Sequence, residues 1–221
     1  MLRLLFAAIL LFHGLIHLMG FVKAFKYAEI TEIQLPISRT SGSFWLAVAV
    51  LFIISTILFL LKKDSWWMLA IPATLISQML IFQYWQDAKF GAIANAIVLL
   101  AIILSWGSWN FNQLVDQEKA AFLPAPSNTT RPVLNREKMA ALPPIVQRWL
   151  ERSNCMGKPV PGLVQLRQTG RMRTSPEGAW MPFEAAQLIR TQHPGFFWNV
   201  KVQAAPFVQL VGRDKYEAGK G

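Results

Sequence analysis

The stretch LLFHGLIHLMG, residues 10–20, places two histidines four positions apart inside a run that is otherwise almost entirely apolar. This run belongs to a segment, residues 2–22, that is long enough for a membrane helix, since crossing the hydrocarbon takes about 20 apolar residues. Imidazole is costly to place in hydrocarbon, and ionisable residues inside a membrane segment are candidates for function. The stretch therefore predicts a membrane helix whose two histidines have partners on other helices.

Three further segments have the length and hydropathy of a membrane span: residues 44–61, 66–85 and 90–109. Aromatic side chains lie at both ends of the third and fourth segments, as the aromatic belts of a membrane interface predict. Residues 1–110 are therefore predicted to form a bundle of four transmembrane helices. Spans two, three and four should run antiparallel to one another, because the links between them are short.

A cleaved signal peptide is the alternative for the first segment. Residues 22–24, Val-Lys-Ala, form a tolerable signal-peptidase site, and residues 4–12 could serve as the apolar region of a signal. The apolar run continues past both histidines, which is long for a signal peptide. This length favours a retained span.

The composition divides the chain into two halves. Residues 1–110 hold seven Lys/Arg and four Asp/Glu, whereas residues 111–221 hold fifteen and eight. Charged residues make up 15% of the chain, against about 25% in a typical soluble domain. An apolar half is therefore joined to a basic, more soluble half. The single cysteine excludes an intrachain disulfide, and no zinc-site spacing, phosphate-binding loop or nucleophile elbow occurs in the sequence.

The lysines and arginines that flank the spans number four on each side of the membrane, so they do not choose an orientation. The basic residues after the fourth span suit the anionic cytoplasmic leaflet; they are Arg131, Arg136, Lys138, Arg148 and Arg152. We therefore expect the C-terminal half on the cytoplasmic side.

His13 and His17 fall on one face of the first span, roughly 6 Å apart, because residues four apart in a helix are neighbours. Gly20 and Ala24 lie near that face, and Gly14 lies beside it. Small residues let a second helix come close in a membrane. The histidine face is therefore expected to pack directly against another span.

Polar residues of the other spans fall at the same depth. Gln78, with Ser77 beside it, lies in the second half of the third span, and Asn95 lies near the start of the antiparallel fourth span. Both histidines lie in the second half of the first span, so all of these residues fall in the same half of the bilayer. Asp87, in the loop after the third span, caps that half. We predict an intramembrane polar site formed by His13, His17, Gln78, Asn95 and Asp87.

Three interpretations of this site are open. Hydrogen bonds between helices, worth about 0.6–2 kcal/mol each, would fix the register of the bundle. A metal ion could use the histidine pair, although a third ligand is needed and Asp87 is the only carboxylate nearby. A proton relay, or a small ligand with a polar head such as a quinone or a lipid headgroup, is the third interpretation. Haem is disfavoured, because residues one turn apart cannot approach a ring from opposite faces.

Residues 111–141 are rich in Pro, Asn and Thr and predict a linker that could contain one short helix. Residues 142–221 predict a second domain. Residues 142–154, LPPIVQRWLERSN, have helical spacing of apolar residues, and four later stretches alternate apolar and polar residues as β-strands do. The predicted fold is α+β: a four-helix transmembrane bundle followed by a short helix and a curved antiparallel sheet.

Five stretches of the C-terminal half resemble a bacterial family, the domain of unknown function 6544 family. They are LPPIVQRWLERS, LRQTGRMR, WMPFEAAQ, PGFFWNVKV and RDKYEAGKG. The front of the chain, with HGLIHLMGFVKAF and YWQDAKFG, is similar to the four-span module that accompanies this domain in some members. The resemblance implies a location in the bacterial inner membrane. It implies no catalytic residue or cofactor.

The family domain extends beyond the last residue of this chain. Residues 219–221, Gly-Lys-Gly, are typical of a hairpin turn, and four strands with an open edge would be prone to aggregate. The resemblance therefore implies that the β-domain is truncated, or that another element completes its sheet.

Curved antiparallel sheets backed by a helix suggest, by analogy of fold alone, the half-barrels that hold lipids. Strand aromatics could line such a cavity or simply form a core: Trp180, Phe183, Phe196, Phe197, Trp198 and Phe207. His193 lies in a His-Pro-Gly turn and is interpreted as a turn residue.

Two functions follow from these patterns. The first is a membrane-anchored β-domain that binds a lipid or another amphiphile. The second is an intramembrane metal, redox or proton-relay protein that uses His13 and His17, and only this one would make the protein an enzyme. Nucleic-acid binding by the basic half is not expected, because no recognition motif occurs and the spans argue against it. The expected partners are the lipid bilayer and an amphiphile.

Overall fold

The computed structural model of the protein describes residues 2–123, 131–205 and 208–221. Its elements are α1 (Leu2–Ala24), α2 (Arg39–Leu60), α3 (Trp66–Gln83), α4 (Trp85–Ala88), α5 (Gly91–Phe122), α6 (Arg136–Ala140), α7 (Pro144–Arg152), β1 (Leu163–Met172), β2 (Met181–Arg190), β3 (Gly195–Ala205) and β4 (Val208–Glu217). The prediction of an α+β chain, helices first and an antiparallel sheet second, is confirmed.

Four of the helices, α1, α2, α3 and α5, are long and apolar enough to cross a membrane. The helix α5 has 32 residues and is longer than the predicted fourth span, which ends at Trp109. At about 1.5 Å per residue its length exceeds the hydrocarbon thickness. It continues to Phe122, inside the stretch that was predicted to be a linker.

The chain forms two compact units, residues 1–113 and residues 114–221, so α5 belongs in part to each. In the first unit, apolar side chains of all four long helices share one core. Leu10, Phe52, Ala70 and Val98 are each completely buried in it.

Glycines of α1 let α2 approach closely, as the small residues beside the histidines predict. A Cβ atom placed on Gly14 would lie 2.9 Å from Cβ of Phe52. A Cβ on Gly20 would overlap the indole ring of Trp45. Side chains at these two positions would therefore push the two helices apart.

The second unit contains a four-stranded antiparallel sheet in the order β1-β2-β3-β4, in which each strand pairs with the next one along the chain. The register pairs Ala185 with Val200 and Leu188 with Phe197. Phe122, at the end of α5, packs on Phe197, with ring centroids 6.1 Å apart. The end of α5 thus covers part of one face of this sheet.

A tight turn follows β4, near the place where the sequence predicts one. Backbone hydrogen bonds of 2.9 and 3.1 Å join Glu217 and Lys220 in both directions. The two residues between them, Ala218 and Gly219, have φ values of 52° and 80°. Positive φ at both central residues is typical of a type I′ hairpin turn.

We expect Gly20→Ala to destabilise the first unit by about 1–3 kcal/mol, because the added methyl group overlaps the Trp45 ring. Thermal unfolding of the detergent-solubilised protein, followed by tryptophan fluorescence, measures the effect. The matched control is Gly107→Ala in α5, where an added Cβ meets no atom within 4 Å. Alanine favours a helix over glycine, so this control should be neutral or slightly stabilising. Equal melting temperatures for the two variants would contradict the close packing.

Candidate functional site

Both histidines of α1 lie inside the first unit, with 4% of His13 and 2% of His17 exposed. Their rings meet edge to face, with centroids 4.8 Å apart. The helical spacing of four residues produces this contact, as the sequence predicts. The polar partners of the two imidazoles are different.

His13 joins a hydrogen-bonded cluster with residues of α3 and α5. Its Nε2 lies 2.8 Å from Oδ1 of Asn95 and 3.3 Å from Oγ of Ser77. The hydroxyl of Ser77 donates to the same Asn95 oxygen at 3.1 Å. An amide oxygen only accepts hydrogen bonds, so this contact requires His13 to carry its proton on Nε2.

Asn95 is the centre of this cluster. Its Oδ1 accepts from His13 and Ser77, and its Nδ2 donates to Oε1 of Gln78 at 3.0 Å. His13, Ser77 and Asn95 are all buried, and each is bonded within the cluster. Three helices, α1, α3 and α5, are thereby joined at one level. The structure thus brings together His13, Gln78 and Asn95, which the sequence placed at one depth.

His17 is bonded on one side only. Its Nδ1–H donates to the backbone carbonyl of His13 at 2.9 Å, which leaves Nε2 as an acceptor. Among the described residues, this buried Nε2 has no hydrogen-bond partner, and the same is true of Nε1 of Trp45. The two rings are neighbours, with centroids 5.1 Å apart. A free acceptor and a free donor therefore lie on adjacent buried rings.

Phe52 and Tyr84 complete the surroundings of this pair. The ring centroids of Phe52 and His17 are 6.0 Å apart, and those of Tyr84 and Trp45 are 5.9 Å apart. Trp45, Phe52 and Tyr84 were not identified from the sequence as site residues. An aromatic residue near the end of a span looks like part of an interfacial belt, so the sequence carries no signal that sets Trp45 apart.

Asp87, in α4, has backbone partners in the first loop. Its carboxylate accepts hydrogen bonds from the backbone N–H groups of Gln34 and Leu35, at 3.0 and 2.9 Å. It therefore fastens the first loop to the third loop. Across the described parts of the chain, no group of three or more His, Cys, Asp or Glu residues has the arrangement of a metal site.

The sheet of the second unit has one apolar face, defined here by the strand positions that share a side with Val200. Alternation along each strand and the observed register place these residues together. The apolar face consists of Val164, Leu166, Gln168, Gly170, Met172, Met181, Phe183, Ala185, Gln187, Ile189, Phe196, Trp198, Val200, Val202, Leu210, Gly212, Asp214 and Tyr216. Its centre is buried, and its edge strands leave apolar side chains exposed.

The opposite face carries most of the charged residues of the sheet, and Leu188 and Phe197 form a buried apolar patch on it. Arg190 and Lys215 both form ion pairs with Glu217, and Arg213 pairs with Glu118 of α5. Hydrogen bonds from Lys215 and Arg190 hold the pKa of the Glu217 carboxyl below its ordinary value. Charged residues on one side and apolar residues on the other give the sheet two chemically distinct surfaces.

The structure separates the aromatic residues that the sequence grouped as a cavity lining. Phe183 and Trp198 lie on the apolar face, and Nε1 of Trp198 donates to Gln168 at 2.8 Å. Phe197 points to the opposite face, where Phe122 covers it. Trp180 precedes β2 and stacks against the guanidinium of Arg173. Phe207 lies outside the described residues.

We expect Asn95→Ala to destabilise the first unit by about 2 kcal/mol, because His13, Ser77 and Gln78 would each lose a hydrogen bond inside the bundle. Unfolding in detergent measures the loss. The matched control is Thr74→Val in α3, because the buried Thr74 hydroxyl bonds only to the Ala70 carbonyl of its own helix. A loss of stability no larger than that of the control would show that the cluster does not hold the helices.

Comparison with known proteins gives one match. No curated protein and no solved structure matches the chain. Residues 132–221 match the family described as a family of unknown function, DUF6544, which confirms the resemblance seen in the strand sequences. The C-terminal part of the chain, residues 132–221, is thus identified as a DUF6544 region.

Proposed function

We propose that this protein is a multi-pass membrane protein whose β-domain binds a lipid or another amphiphile on its apolar face. The observation that carries the proposal is the open edge of that face. Leu166, Leu210 and Tyr216 are 39%, 49% and 42% exposed, and they flank a buried apolar centre. Exposed apolar side chains beside an apolar centre on one sheet face mark a candidate ligand site.

The outer surface of the first unit supports the membrane location. Large apolar side chains point outward from all four long helices: Leu4, Phe12, Ile57, Met79 and Leu104 are each at least half exposed. The buried polar residues face inward. This distribution is the reverse of a soluble bundle and suits helices surrounded by lipid. We place the helices in the bacterial inner membrane, with the second unit in the cytoplasm.

The chemistry of the apolar face favours an acyl chain as the bound group. Of the described residues on this face, only Asp214 carries a charge at neutral pH. Gln168 and Trp198 already bond to each other, so they offer little to a charged headgroup. A chain of methylene groups would gain about 0.8 kcal/mol for each one that it buries on such a surface. The four helices on the same chain would keep the domain near a bilayer that supplies this ligand.

We expect a photoactivatable phospholipid, incorporated into nanodiscs with the full chain, to crosslink to peptides of β1 and β4. Replacing both Leu166 and Leu210 by lysine should reduce this crosslinking at least about tenfold, because two charges would then lie on the surface that receives the acyl chain. Mass spectrometry of the crosslinked peptides measures the yield.

The matched control replaces Gln165 and Gln209 by lysine. These residues neighbour Leu166 and Leu210 on the same strands, are exposed, and lie on the other side of the sheet. They add the same charge without touching the apolar face. Equal crosslinking in both variants, or crosslinks confined to the long helices, would overturn the proposal.

A second candidate function is an intramembrane site at His17. It is favoured by one observation: Nε2 of His17 is a buried acceptor without a partner among the described residues, whereas Nε2 of His13 bonds to Asn95. A neutral imidazole nitrogen of this kind can bind a metal ion, accept a proton or bond to a hydroxyl group. In this function His17 is the binding residue and His13 positions it.

We expect elemental analysis and an absorption spectrum of detergent-purified protein to distinguish the two functions. An intramembrane metal or redox site predicts a stoichiometric metal or chromophore that His17→Leu removes. The control is His193→Leu, which changes an exposed histidine in a turn of the second unit. If the wild-type protein contains neither a metal nor a chromophore, a metal or redox function at His17 is contradicted.

A further inference from the structure

The helix α7 exposes two large apolar side chains on one side. Ile145 and Trp149 are 66% and 64% exposed, far more than expected for residues of their size. They are four positions apart and therefore lie next to each other on the helix surface. No residue of this helix is buried. The helix thus presents an apolar pair that the described residues of its own unit leave uncovered.

The other side of α7 is less exposed. Val146 and Leu150 are half-buried. The side-chain amide of Gln147 donates to the carbonyl of Leu142 at 2.7 Å, and Pro144 occupies the first turn, where its missing N–H costs nothing. The helix is therefore formed locally, with Ile145 and Trp149 on its more exposed side.

Positive charges border the apolar pair. At about 100° per residue, Arg148 and Arg152 lie on the flank of Ile145. The segment from Arg131 to Arg152 holds five basic residues and two glutamates. A shallow groove runs along the helix and is lined by Ile145, Val146, Arg148, Trp149 and Arg152. The surface is therefore apolar in the middle and cationic at its edge.

We propose that α7 binds the surface of an anionic lipid bilayer, with Ile145 and Trp149 inserted among the headgroups and Arg148 and Arg152 against lipid phosphates. An amphipathic helix with tryptophan on its apolar side and arginine beside it is suited to the plane of a membrane interface. A membrane is the occupant with the matching charge, and this same chain has four helices able to cross one. The inference rests on the proposed membrane location but does not depend on the apolar face of the sheet.

The test is hydrogen exchange of the full chain in nanodiscs of phosphatidylcholine alone and of phosphatidylcholine with phosphatidylglycerol. A short helix without a buried residue exchanges its amides quickly unless something covers it. In the anionic nanodiscs, peptides that cover α7 should exchange at least about tenfold more slowly than in the neutral ones. Raising the salt concentration should remove this protection, since exposed charge interactions are screened.

Charge reversal at both arginines, Arg148→Glu with Arg152→Glu, should abolish the protection. The matched control replaces Arg167 and Arg171 by glutamate. Both arginines are exposed on the polar face of the sheet, so this variant should keep the protection of α7. Protection that is absent in anionic nanodiscs, or that is the same in neutral ones, would overturn the proposal. Peptides of α1, α2 and α3 report separately on the membrane location, because they should be protected in both kinds of nanodisc.

Discussion

The arrangement of the helical unit depends on the hydrogen bonds that meet at Asn95. In the proposed membrane location a buried polar side chain has no water to bond to, so a partner on another helix or on its own backbone stabilises it. Asn95 has both a donor and an acceptor group, and it satisfies His13, Ser77 and Gln78 at once. A shift of one helix by one turn along its neighbour would break the bonds that the Asn95 amide makes across helices.

The sequence predicts this cluster because depth in a membrane follows from position along a span. Once the spans are recognised, His13, Gln78 and Asn95 must lie at one level, whatever the details of packing. The contact between His17 and Trp45 could not be predicted in this way. It depends on the close approach of α1 and α2 at Gly20, which is a matter of side-chain shape rather than of depth. Depth does not identify the partners of Asp87 in α4, whose carboxylate accepts hydrogen bonds from backbone N–H groups of the first loop.

The same distinction applies to the second unit. Alternating residues predicted four strands and an antiparallel sheet, and the structure has them. Alternation also assigns neighbouring residues to opposite faces, so Phe197 and Trp198 cannot line one surface. The helix α5 was expected to end with the apolar run at Trp109, but polar residues continue it to Phe122. Hydropathy marks the part of a helix that suits a membrane and does not show where the helix ends; Phe122, the last residue of α5, packs on Phe197 in the second unit.

Gly20 also restricts how this sequence can change over evolutionary time. The Trp45 ring occupies the space where any other residue would place its first side-chain carbon, so a larger residue at position 20 requires a smaller one at position 45. The outward positions of the same helix, such as Leu4 and Phe12, carry no such restriction, since lipid adapts to many shapes. Natural variants of α1 should therefore diverge along one side of the helix. On the other side, positions 20 and 45 should change together or not at all.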